Sequence, residues 1–177
     1  CLPCNQQVIT KHLLPAPYTK CASLFKTPHT AFAALLIPTL PTGTVQLANS
    51  GKLVNVSGTL TPGTATEIGT LTIAVGDLKF NPTTQAKFQV DLTADKADKV
   101  IVGDLLTYNG TLTIDVTGER DSDASYTLFQ YGSKTGTFAA VNINGVNPNK
   151  AEASFDENTG VLTYHVLPPQ GTLITIQ

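Results

Sequence analysis

The sequence predicts an all-β protein of stacked strands, a β-solenoid closed by an antiparallel C-terminal cap, with a β-sandwich as the alternative. Three observations predict it. Gly-Thr-Leu recurs at Gly58, Gly69, Gly110 and Gly171, with the near-copy Gly136-Thr137-Phe138. A glycine that lets the backbone turn, a β-branched threonine and a large apolar residue make the entry to a short strand. From Thr44 onward apolar and polar residues alternate over strand-length windows divided by turn signals. No window carries a convincing helical period.

Residues 1–42 read as an extended N-terminal arm. Six of the 11 prolines (Pro3, Pro15, Pro17, Pro28, Pro38 and Pro41) fall there, which forbids a long helix and disfavours a central strand. Two short apolar pieces, 8–14 and 31–37, need cover. Either the arm straps along its own domain, or residues such as Ala31, Phe32, Leu35, Leu36 and Ile37 pair with a neighbouring copy, since a terminal apolar strand can add to an exposed sheet edge. Residues 43–177 form the β-rich body, solenoid-like to about residue 140 and cap beyond.

Within the body, strands are expected at Val45-Gln46-Leu47, Leu53-Val54-Asn55-Val56, Leu71 to Val75, Leu78-Lys79-Phe80, Phe88 to Leu92 and Val100-Ile101-Val102. Further strands are expected at Leu112 to Val116, Tyr126-Thr127-Leu128, Val161 to Val166 and Leu173 to Ile176. Thr61-Pro62-Gly63, Gly76-Asp77, Asn81-Pro82, Gly103-Asp104 and Asn158-Thr159-Gly160 mark the turns between them. Repeated Gly-Thr-Leu entries favour a solenoid, in which each strand stacks on its equivalent one coil later. Asn109-Gly110 and Asn144-Gly145 are two-residue hairpin signals, and so point to antiparallel pairing in the C-terminal third.

The runs Gly58-Thr59-Leu60-Thr61-Pro62-Gly63, Ile68-Gly69-Thr70-Leu71-Thr72-Ile73 and Gly76-Asp77-Leu78 together resemble the autotransporter-associated β-strand repeat of bacterial surface proteins. Phe88 to Leu92, Asp98 to Val102, Gly110-Thr111-Leu112, Tyr126-Thr127-Leu128 and Gly136-Thr137-Phe138 continue the similarity, which covers roughly residues 53–140. The resemblance implies a right-handed parallel β-helix, exported and displayed at the cell surface. It says nothing about the arm, and no membrane β-barrel follows within this chain.

Composition narrows the function. Charged residues are 14% and the formal net charge is −2, with Arg120 the one arginine, so there is no electrostatic footprint for nucleic acid. No apolar run approaches the roughly 20 residues of a membrane-spanning helix. The three cysteines lie in the first 21 residues. Cys4 with Cys21 is the natural disulfide pairing, leaving Cys1 for a lipid, as in a bacterial lipoprotein, or for an intermolecular bond. Zinc lacks ligands at regular spacing, because only Cys21, His12 and His29 accompany the Cys1-x-x-Cys4 pair.

Enzymatic residues are sparse. Asp77, Asp91, Asp115 and Glu119 are the candidates for a glycosidase pair, but Asp91 and Asp115 alternate with core residues and read as outward strand charges. Glu119, Asp121 and Asp123 could offer hard oxygen ligands to calcium, yet lack the glycine and distant glutamate of an EF-hand loop. His165 reads as an outward strand residue. The expectation is therefore a non-enzymatic, extracellular structural protein without cofactor or metal, self-associating into an oligomer or filament. Its alternatives are a carbohydrate-binding or carbohydrate-degrading module, for which exposed aromatic platforms discriminate, and a monomeric surface lipoprotein.

Overall fold

The computed structural model describes residues 43–45, 53–64 and 66–169, and it is all β among them. The arm, the three cysteines and the strand expected at Leu173 to Ile176 lie outside the described residues. The first rung comprises β1 (Gly43–Val45), β2 (Leu53–Val56) and β3 (Thr59–Leu60). The second comprises β4 (Thr70–Ile73), β5 (Asp77–Phe80) and β6 (Gln85–Asp91), after which β7 (Lys96–Ala97) folds back on β6. The long β8 (Lys99–Tyr108) and β9 (Thr111–Thr117) make the third rung; β10 (Ala124–Thr127) leads to the fourth, β11 (Phe129–Gly136) and β12 (Ala140–Asn144). Two final strands, β13 (Ala151–Asp156) and β14 (Val161–Val166), form a hairpin that β10 joins in an antiparallel sheet.

Rungs pair in parallel, so the body is a β-solenoid of about three turns. Each turn presents three faces. One stacks β1, β4, the start of β8 and the start of β11; the next stacks β2, β5 and the later halves of β8 and β11; the third stacks β3, β6, β9 and β12. The third sheet lies across the end of the stack as a cap.

Alternation in the sequence becomes ladders of inward side chains. Leu71, Val100 and Phe129 stand in register, as do Val54, Leu78 and Leu106, and Phe88, Ile114 and Ile143. Packing such residues inward, at roughly 25 cal/mol per Å² of apolar area, is what offsets the entropy of ordering the coils. Aromatic rings tie the ladders to the cap. The Phe129 ring, wholly buried, lies 4.7 Å from that of Phe88, 5.3 Å from Tyr108, 5.9 Å from Phe138 and 5.9 Å from Phe155 of β13. These separations suit edge and tilted aromatic contacts.

Polar groups hold the corners. Between the first two faces the linker shortens from Ala74-Val75-Gly76-Asp77 to Gly103-Asp104-Leu105 to Gly132-Ser133. Across this corner the Gly76 N–H donates to Asp104 (2.8 Å) and the Leu105 N–H donates to Asp77 (3.1 Å), each 28 residues away. The buried Asp98 accepts from Gly69 N–H (2.6 Å) and Gln89 N–H (2.9 Å). Burial pushes its carboxyl above the ordinary range, and the two N–H donors pull it back.

Two Asn-Gly pairs depart from the hairpin expectation. Asn109-Gly110 is the corner between β8 and β9, and Asn144-Gly145 ends β12; both glycines have positive φ (70° and 82°). A side chain at Gly110 would put its Cβ 2.2 Å from the Thr84 carbonyl oxygen of the coil below. Corner and hairpin impose the same left-handed requirement, which is why the dipeptide does not tell them apart. The antiparallel hairpin of the cap instead turns through residues 157–160.

Phe129→Ala is expected to cost about 3–5 kcal/mol, because its ring joins the coils to the cap. Tyr108 differs: its hydroxyl is buried with no hydrogen-bond partner among the described residues. Tyr108→Phe should leave stability unchanged or raise it by about 1 kcal/mol, since an unsatisfied buried hydroxyl is removed. Urea midpoints at constant slope measure both, and a marked loss in Tyr108→Phe would mean that the hydroxyl is in fact satisfied.

Candidate functional site

Every interior strand of the solenoid spends both backbone edges on neighbours, and the ends of the stack do not. β12 bonds β9 on one side and no described strand on the other. Its inward ladder explains what is unusual about it. Leu60, Ala86, Leu112 and Val141 are in register on four successive rungs. Their exposures run 2%, 0%, 0% and 37%, so the last rung of a core ladder stands in solvent. Ile143, two residues on, is half-buried over Ile114. The cap accounts for the asymmetry in cover: Phe155 packs on Phe129 and Phe138, whereas Val141 stays exposed, and neither β11 nor β12 pairs with a described strand on its outer edge. At the opposite end, Leu53 of β2 is the other large apolar residue exposed among the described residues.

Acidic side chains named as catalytic candidates prove to be structural partners. Asp77 caps Leu105; Asp91 accepts from the N–H groups of Thr93 and Ala94 (both 2.9 Å) in the β6–β7 turn. Asp115 accepts from the Asn144 side-chain amide one rung above (2.8 Å), and so faces outward as expected. Glu119 is bridged to Lys150 at 3.2 Å.

Glu119, Asp121 and Asp123 do not converge. Glu119 turns to Lys150, whereas Asp123 accepts from the Val166 N–H (2.8 Å) and lies 2.8 Å from His165 Nδ1. No group of three His, Cys, Asp or Glu that could hold a metal exists among the described residues. Arg120 pairs with Asp95, and Asp95 also accepts from the Tyr126 hydroxyl at 3.0 Å. This contact holds the β6–β7 turn against the strand leading into the cap.

A cleft of about 260 Å³ lies where the loops after β9 and β12 meet the end of β14. Glu119, Arg120, Asn147, Lys150 and Tyr164 contribute to its walls. Its cations are already paired with Glu119 and Asp95, and Tyr164 is only 6% exposed. Tyr108 and Tyr126 are likewise buried, at 1% and 7%. None of these three rings offers the exposed face that an extended sugar stacks on. Sequence reasoning missed β12 altogether. Its Val-Asn-Ile-Asn alternation is a weak strand signal that becomes informative only once Val141 is seen above Leu112.

Comparison with protein-family models, curated proteins and solved structures finds no match in any of the three.

The His165 and Asp123 pair titrates in a defined sense. The hydrogen bond to Asp123 raises His165 above its ordinary 6.5, while the Val166 N–H and then His165 lower Asp123 below 3.8. The histidine's contribution is fully present below its unfolded value and is lost as pH rises through the folded one. The aspartate's is present above its unfolded value and is lost as pH falls through the folded one. The contact therefore helps most in mildly acidic solution. Asp123→Asn should return the His165 titration midpoint toward 6.5, measured by NMR; an unmoved midpoint would rule out the pairing.

Proposed function

We propose that this protein is a non-enzymatic, exported structural building block of a bacterial surface layer, fibre or filament, associating through its strand edges and its N-terminal arm. The observation that carries the reading is the open edge of β12, where a core ladder ends in an exposed valine. An unpaired strand with an apolar rung is a template for another strand, and natural proteins blunt such edges unless pairing is useful. β12 carries neither lysine nor proline among its five residues.

Charge use points the same way. Asp77, Asp98, Asp104 and Asp115 hold coil to coil, and so serve the architecture. The resemblance to the autotransporter-associated repeat supports export and display. The apolar arm residues Ala31, Phe32, Leu35, Leu36 and Ile37, bounded by Pro28 and Pro38, supply a segment of strand length. Contacts that join one end of a stack to the other of the next copy do not close on themselves, and they generate filaments.

Deleting residues 1–42 is expected to leave a folded but monomeric body, seen by circular dichroism and sedimentation. Val141→Lys should reduce assembly with stability changed by less than about 1 kcal/mol, because the site is exposed. Electron microscopy of both variants decides: filaments from the truncated chain would sink the arm, and filaments from the lysine variant would sink the edge.

A further inference from the structure

We propose that Asn144-Gly145, at the end of β12, is a site of spontaneous deamidation, and that the product unfastens β12 from β9. The sequence holds two Asn-Gly pairs, Asn109-Gly110 and Asn144-Gly145. A glycine has no side chain to shield its amide nitrogen, which is therefore free to attack the amide carbon of the asparagine before it. By local chemistry the two pairs are equal, and the fold separates them.

Asn109-Gly110 is fastened on both sides. Asn109 is half-buried and Gly110 buried, and the Gly110 N–H that must attack is held by the Asn109 side-chain oxygen (2.8 Å). The Thr111 N–H donates to the Thr84 carbonyl of the coil below (2.9 Å), and the Gly110 carbonyl accepts from the Ala139 N–H of the coil above (2.7 Å). Closing a five-membered ring here means swinging the peptide free of both neighbours. Asn144-Gly145 has a coil on one side alone, because β12 bonds β9 and no described strand beyond it. Both of its residues are exposed. The fold also requires the glycine that makes Asn144 reactive: Gly145 has φ 82°, and a Cβ there would lie 1.9 Å from the Val116 carbonyl oxygen.

The Gly145 nitrogen gives its proton to hydroxide and bonds the Asn144 Cγ; the side-chain nitrogen takes a proton from water and leaves as ammonia. Water then opens the resulting succinimide at either carbonyl, to aspartate or to isoaspartate, and no oxidant or reductant enters. The consequence falls on one contact. Asn144 and Asp115 stand in register on neighbouring rungs, and the Asn144 amide donates to the Asp115 carboxylate (2.8 Å). A carboxylate at 144 replaces the donor with a second anion directly opposite the first, a destabilising pair in a sheet. Isoaspartate also adds a backbone carbon at the strand end. With no second neighbour to hold it, β12 loosens from that end, which retires the edge used in the assembly proposed above. The modification itself does not rest on that assembly.

Incubating the full chain in mildly alkaline buffer, with peptide mapping by mass spectrometry, reads both sites. In the folded chain position 144 should convert at least about tenfold faster than 109, because ring closure follows local opening, and the two rates should converge in urea. Equal rates in the folded chain, a faster Asn109, or a gap that persists in urea overturns the site.

Asn144→Asp reproduces the aspartate product. Hydrogen exchange of the β12 amides should speed about threefold or more, with β6 and β9 unchanged as the control of folding. Asn144→Asp combined with Asp115→Asn exchanges donor and acceptor, and should restore the original rate. Unchanged exchange in the single variant, or no recovery in the double one, overturns the unfastening. Light scattering on the same samples keeps the two readings apart: a chain that deamidates at 144 as described but never polymerises upholds the site and removes the assembly.

Discussion

A parallel coil satisfies its backbone by handing each N–H and C=O to the coil above and below, so every interior strand here depends on neighbours roughly 28 residues away. That dependence is the constraint from which the rest follows. Side chains on successive rungs must match in register, because Leu78 can pack only on what Val54 and Leu106 place beside it. Corners must be tight enough to keep rungs aligned, and the buried carboxylate of Asp98, the half-buried one of Asp104 and the glycine at Gly110 do that. The stack must also stop, and no coil can stop it.

Stopping is accomplished unevenly. The cap sheet brings Phe155 over Phe129 and Phe138, so the aromatic column that begins at Phe80 and Phe88 ends under protein. The same sheet touches β12 through β13 but pairs no strand with its outer edge. Val141 and the free edge of β12 are the geometric remainder of a cap that changes strand direction over only part of the cross-section. The function proposed above is read from that remainder, while Asp77, Asp98, Asp104 and Asp115 hold coil to coil. The cleft beside the cap fits the same pattern, its cations being neutralised by Asp95 and Glu119.

Strands inside the stack were legible in the sequence because they are buried on one side and must alternate. Leu53-Val54-Asn55-Val56, Phe88 to Leu92 and Leu112 to Val116 each sit where the alternation put them. β11, β12 and β13 were not legible. Phe129 to Gly136 contains one fully buried residue in eight, because the last rung needs only enough apolar surface to meet the cap. The candidate site was illegible for a related reason: Val141 is an ordinary strand valine until the rung below it is known. His165 and Asp115, in contrast, face outward as their alternation implied, although their partners, Asp123 just before β10 and Asn144 of β12, are distant in sequence.

By itself the sequence determined that this protein is β-rich and divided by turns into short alternating strands, since strand period and turn residues are local properties. Only the tertiary structure decided which strands share a face, that Asn109-Gly110 turns a corner instead of a hairpin, and that one ladder runs out before it is covered. Those are statements about residues a full coil apart. Local preference cannot contain them, because the free energy of each rung depends on the rung it meets.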